Sequence, residues 1–170
     1  LADPKSHPIN WDISPDRKTL YAVPMSGNGL YAYDLTGDEA TLKGQFVGKL
    51  LDGAIKTDCR AMCVAPDGTV WSGIAARTSE GDAGLRLVSY KPGEKKVVDH
   101  GRAVIRNPDY TKFTDEGGKP LKWHHGVHRI DGDRLATRYH IMAICAARDG
   151  AVYFTTLYPL TLHTWKPRQP

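Results

Sequence analysis

The sequence predicts an all-β chain assembled from a repeated, four-stranded antiparallel unit, and three observations predict it. An apolar strand, a turn of small residues and Asp, and a second strand recur three times, each followed after a gap by a strand ending in an aromatic. The 17 Gly and 11 Pro are scattered between apolar runs rather than pooled, the pattern of many turns and few long helices. Asp-Gly stands between alternating runs at 67–68, 131–132 and 149–150, the strongest short hairpin signal, read here as a tight turn in which both central residues take φ > 0.

The first copy runs from Trp11 to Val23 and resumes at Leu30–Leu35; the second runs from Ala61 to Trp71 and resumes at Leu85–Tyr90. The third runs from Met142 to Phe154 and resumes at Leu160–Trp165. The turn Asp falls at 16, 67 and 149, in steps of 51 and 82 residues. The first step suits one four-stranded blade of a β-propeller, with a period of roughly 40 to 50 residues. The second is too long for one blade and holds either an extra hairpin or a fourth, degenerate blade. The expected organisation is a partial propeller over 1–170, with blade-like repeats at 9–58, 59–100 and 139–170. A long surface loop over Asn107 to Lys122 and a hairpin on either side of Asp131-Gly132 fill an insertion at 101–138.

About three blades fall short of the 4 to 8 that close a propeller, so the ring is expected to be incomplete. An open ring exposes apolar faces and unpaired edges. The missing blades are therefore expected from another chain or from a severed N-terminal part.

Composition narrows the partners. With 23 Lys+Arg against 19 Asp+Glu, the surface is modestly basic, and no basic stripe organises the charge for nucleic acid. An acidic glycan or small molecule remains a fitting ligand. No apolar run approaches the ~18 residues of a membrane span, so a membrane is not an expected partner. Cys59, Cys63 and Cys145 are read as buried small hydrophobes. Most of the recurrent aromatics, Trp11, Tyr21, Tyr31, Tyr33, Trp71, Tyr90, Tyr153 and Trp165, are read as packing between blades. No phosphate loop, haem-attachment motif or serine-nucleophile elbow is present.

The runs Ile13–Tyr21, Gly29–Asp34 and Asp67–Trp71 resemble blades of the gluconolactonase-like or NHL-type propellers. The likeness extends over most of the chain and is nearest to exported bacterial propeller proteins, in which this segment is the C-terminal portion. The resemblance implies an extracellular or periplasmic location. It also implies a divalent metal held by carboxylate and amide oxygens at the inner ends of blades. Two of the ligand places are occupied here by Ile9 and Pro24, with Asn10 one step from the first.

Two constellations carry candidate chemistry. The segment 123–129 holds three of the seven histidines. As one strand, it places His124 and His128 on one face and His125 and Arg129 on the other. Two imidazoles on one face suit a divalent metal or a general base, and Trp123, His125 and Arg129 are the neighbouring ligand-binding candidates. The plainer reading, strand and hydrogen-bonding roles, weighs more. The second constellation is Arg138-Tyr139-His140. Propeller lyases that cleave uronates use Arg to neutralise the carboxylate and His and Tyr to move the proton, which makes His124, Arg138, Tyr139 and His140 the catalytic candidates.

The expected function is a non-catalytic ligand- or partner-binding segment of a larger propeller. The alternative is a carbohydrate-active enzyme, a uronate lyase or lactone hydrolase. A structural subunit of an assembly is the third reading.

Overall fold

The computed structural model describes residues 9–37, 44–105, 112–124, 127–131, 134–137, 140–157 and 160–166, with backbone alone at Trp123, His124, Asp131 and Arg134. Every regular element among them is a strand, save a single 3-10 turn at Pro92–Glu94. The strands form four antiparallel sheets. Sheet I comprises β1 (Ile9–Ile13), β2 (Thr19–Pro24), β3 (Gly29–Asp34) and β4 (Gln45–Lys49) in chain order, and sheet II comprises β5 (Ala54–Val64), β6 (Val70–Thr78), β7 (Gly81–Lys91) and β8 (Lys96–Arg102). Sheet III is built from β9 (Val104–Ile105), β10 (Trp123–His124), β11 (Val127–Asp131) and β12 (Arg134–Thr137), ordered β10-β11-β12-β9. Sheet IV has β13 (Ile141–Ala146), β14 (Val152–Thr156) and β15 (Leu162–Trp165).

One hairpin design opens sheets II and IV. Ala65 N–H bonds to the Thr69 carbonyl and Gly68 N–H to the Ala65 carbonyl; Ala147, Ala151 and Gly150 repeat the pattern. Gly68 (φ 85°) and Gly150 (φ 79°) take positive φ whereas Asp67 and Asp149 do not. The loop is thus a three-residue one that closes on a glycine bulge, not the two-residue turn expected. Its Asp serves instead as an acceptor: Asp67 takes the Thr69 N–H and Asp149 the Ala151 N–H. Sheet I uses a loop one residue longer, with Arg17 at φ 61° and Asp16 accepting from Ser14 and Lys18. These bonds hold the Asp16 carboxyl below its ordinary range.

A further copy of the glycine turn lies in the stretch expected as loop. Asp115 N–H bonds to the Lys119 carbonyl, Gly118 (φ 79°) closes on Asp115, and Thr114 bridges Pro120. Around it the insertion folds as sheet III, with a small core of Ile105, Val127 and Leu135 covered by Phe113.

Sheets I, II and IV stack face to face, and their first strands stand side by side with β5 between β1 and β13. Each has a front, turned toward the next sheet in that order, and a rear. Tyr21, Val23 and Leu30 on the front of sheet I pack with Met62, Val70, Ile74 and Tyr90 on the rear of sheet II. Cys63, Trp71 and Leu85 on the front of sheet II pack with Val152 and Phe154 on the rear of sheet IV.

The register makes corresponding positions explicit. Asp12 pairs with Tyr21, Cys63 with Trp71, and Cys145 with Tyr153, all on fronts. Asp12 Oδ2 accepts the Val64 N–H at 2.8 Å, crossing from sheet I to sheet II. Cys63, at the corresponding place, lies in the core that Ala146 of sheet IV packs against, and burial pushes its thiol up to about 12.

The stack is open at both ends, and no closed ring forms among the described residues. The rung Trp11, Ala22, Tyr31 and Phe46 spans the rear of sheet I, where Trp11 is 60% and Phe46 58% exposed. The corresponding rear residues Met62 and Ile144 are packed against a neighbouring sheet. Trp11 therefore departs from the expected packing role within this chain. Cys145 departs too: it is exposed, whereas Cys59 and Cys63 are buried, because among the described residues no sheet lies in front of sheet IV.

Candidate functional site

Three neighbourhoods hold side chains able to do chemistry. The first lies where β13 begins beside β5. His140 directly precedes β13, and β13 runs beside β5, which carries Asp58 and Arg60. Arg60 grips Asp58 with two hydrogen bonds, Nε–Oδ1 at 3.0 Å and a terminal nitrogen to Oδ2 at 3.2 Å. His140 Nδ1 lies 3.4 Å from Asp58 Oδ1. Burial lowers the His140 pKa; Asp58 opposes that shift and Arg60 reinforces it. Partly exposed Arg60 and Asp58 and a largely buried His140 thus form one side-chain cluster. The sequence singled out His140 but not Asp58 or Arg60. β5 runs unbroken through the expected repeat boundary at 58/59, with a bulge between Cys59 and Met62.

Sheet I anchors to the same region. Asn10, weighed as a near miss for a metal ligand, donates from Nδ2 to the Cys59 carbonyl at 2.8 Å, and the Cys59 N–H bonds to the Met25 carbonyl. That amide is a clamp between sheets.

A second neighbourhood is a cleft of about 1240 Å³ between β8–β9 and β15, walled by His100, Arg102, Ile105, Leu160, Leu162 and Trp165. His100 lies on Trp71 at 4.9 Å, meets Trp165 edge-on at 4.6 Å, and shares a hydrogen bond between Nε2 and Ser89 Oγ at 2.8 Å. Nearby, His163 stacks on Phe154 at 4.8 Å and bonds through Nε2 to Thr161.

The third is the histidine segment, and there the expected geometry is corrected. Residues 123–129 do not form one strand: the chain reverses between His124 and Val127, setting His124 opposite Val127 and Trp123 opposite His128. Adjacent rungs alternate between faces of a sheet, so the two positions expected to share a face as a metal pair fall on alternate rungs. Arg129, expected as a ligand contact, is engaged structurally. Its N–H and Nε bond to the carbonyls of Lys122 and Leu121, and its guanidinium lies 5.2 Å from the Phe113 ring centroid. His125, Arg138 and Tyr139 lie outside the described residues, as do the side chains of Trp123 and His124. Among the described residues, no three His, Cys, Asp or Glu side chains converge to hold a metal ion. No helix among them is long and apolar enough to cross a membrane.

Three half-buried imidazoles give the fold a pH dependence. Burial lowers the pKa of His100, His140 and His163 below the ordinary 6.5. Each binds its proton more readily in the unfolded chain, so stability is full above that value and falls as pH drops through it toward the folded-state values. Thermal melts from roughly pH 7.5 to 5 are expected to show a falling midpoint. The double variant His100→Gln, His163→Gln should flatten that slope; an unchanged slope would remove these rings as its source.

No protein-family model matches the chain, and no curated protein does. A solved structure it is similar to is the extracellular domain of a protein described as the one component system BT4673 from B. thetaiotaomicron, at 13% identity and a TM-score of 0.26. That match covers 94% of this chain, which spans 28% of the length of the other.

Proposed function

We propose that sheets I, II and IV are blades of a β-propeller, and that the chain is a section of that ring binding a small acidic molecule or glycan where its innermost strands begin. The observation that carries this reading is a repeated packing: the front of sheet I lies on the rear of sheet II and the front of sheet II on the rear of sheet IV, with Asp12 bonded to the Val64 N–H across the first boundary. Radial repetition of one sheet-to-sheet contact is how propeller blades surround a channel. The channel side of such a section carries Asp58, Arg60 and His140. A guanidinium held flat by a carboxylate is a preformed partner for an anionic sugar. An extracellular or periplasmic location accompanies the resemblance to exported propellers.

Calorimetric titration with a short galacturonate oligosaccharide tests the site. Wild type is expected to bind in roughly the millimolar range or tighter, and Arg60→Ala about tenfold more weakly. Lys56→Ala, which removes an exposed cation from the same strand, should bind as wild type does. Equal binding by wild type and Arg60→Ala overturns the reading.

One observation favours a second reading, uronate lyase chemistry. Burial lowers the His140 pKa, which favours the neutral ring, and its Nδ1 lies 3.4 Å from Asp58 Oδ1, the arrangement of an oriented proton acceptor. Unsaturated uronate product formed by wild type and lost in His140→Asn would move the assignment from binding to catalysis.

A further inference from the structure

Sheet I turns a rear face to solvent and sheet IV a front face, and a front meeting a rear is the contact made twice inside the chain. The rear of sheet I presents Trp11, Ile13, Tyr31 and Phe46, and the front of sheet IV presents Cys145, Tyr153, Leu162 and Thr164. None of these is charged. Trp11, at 60% exposure, occupies the place where Met62 and Ile144 are packed, and Leu162 is 71% exposed.

Cys145 corresponds to Asp12, which bonds to the Val64 N–H of the next sheet, and to Cys63, which packs with Ala146 of the next. Counted from the turn, the residues they meet, Val64 and Ala146, correspond in sheet I to Ile13, whose own N–H bonds to Asp12 Oδ1 at 2.8 Å.

We infer that two copies of this chain close on each other head to tail, the front of sheet IV of each seated on the rear of sheet I of the other, to give a ring of six stacked sheets. The inference rests on the propeller reading above. A second copy is the occupant because its sheet IV carries the third member of a series whose first two members each cover a rear face. Six lies within the 4 to 8 blades of closed propellers, and a two-fold axis along the channel makes the two new interfaces identical.

Sedimentation velocity on the 170-residue chain tests it. Wild type is expected at twice the chain mass of 18.8 kDa. Trp11→Glu spoils a rear and Tyr153→Glu a front, so each alone should sediment as a monomer. An equimolar mixture should recover the paired mass, since one intact front then meets one intact rear; misfolded variants could not do this. Cys145 should react with a thiol reagent several-fold more slowly in wild type than in either variant. A monomeric wild type overturns the inference, and so does a Tyr153→Glu protein that stays dimeric, because rear would then be pairing with rear. Galacturonate binding by a monomeric wild type would remove the second copy alone. A dimer whose binding ignores Arg60→Ala would instead remove the ligand reading.

Discussion

Gly73→Val is expected to lower the unfolding free energy by about 3 kcal/mol, because the position has no room for a side chain. Gly73 lies in β6 on the front of sheet II, and a Cβ there would stand 2.6 Å from Cβ of Ile141. Ile141 is fully buried in the core between sheets II and IV, so it cannot swing aside without opening that core. The loss corresponds to a melting midpoint lower by roughly 6–12 °C for a chain of this size. The double variant Gly73→Ala, Ile141→Ala should be less destabilised than the sum of its parts, since truncating Ile141 vacates the space the new methyl needs. Gly93→Ala, where an added Cβ meets nothing within 4 Å, should stay within about 0.5 kcal/mol of wild type. Urea unfolding of the set checks this, and a Gly73→Val protein as stable as wild type would mean that sheets II and IV do not pack as described.

Trp71→Ala should cost about 3–5 kcal/mol, the usual loss for truncating a large buried aromatic. Trp71 is 7% exposed and fills the junction of sheets II and IV, touching His100 on one side and Trp165 at 4.9 Å on the other. Its removal also uncovers His100, whose pKa is lowered by burial. The variant's His100 should therefore titrate nearer 6.5, which proton NMR of the imidazole would detect. A drop in stability with no movement of that titration would place His100 outside the cover of Trp71.

The turns were legible because their chemistry is local. Asp67-Gly68 and Asp149-Gly150 announce a left-handed glycine and an Asp acceptor within five residues, although the loop proved one residue longer than the tight turn expected. The turn closed by Gly118 was missed because Glu116-Gly117-Gly118 sits in a polar stretch without flanking apolar alternation. Alternation also misled at 123–129, where an uninterrupted strand was assumed and the chain doubles back instead. Asp58 and Arg60 were illegible for a different reason: a bulge breaks the period of β5 beside them, and their partner His140 is some eighty residues away. A contact of that separation is written in the stacking of β5 on β13, which no local pattern encodes.

Within one copy, and among the described residues, sheet II has neighbours on both faces, whereas sheets I and IV have one each. In a row of units bound only to their nearest neighbours, the central unit cannot open until an outer one has left. Either flank, by contrast, can detach while the other stays docked. In a single, unpaired copy the order of loss under mild denaturant is thus built into the layout: the flanks exchange their amide protons first, and β5–β7 serve as the keel on which the rest is rebuilt.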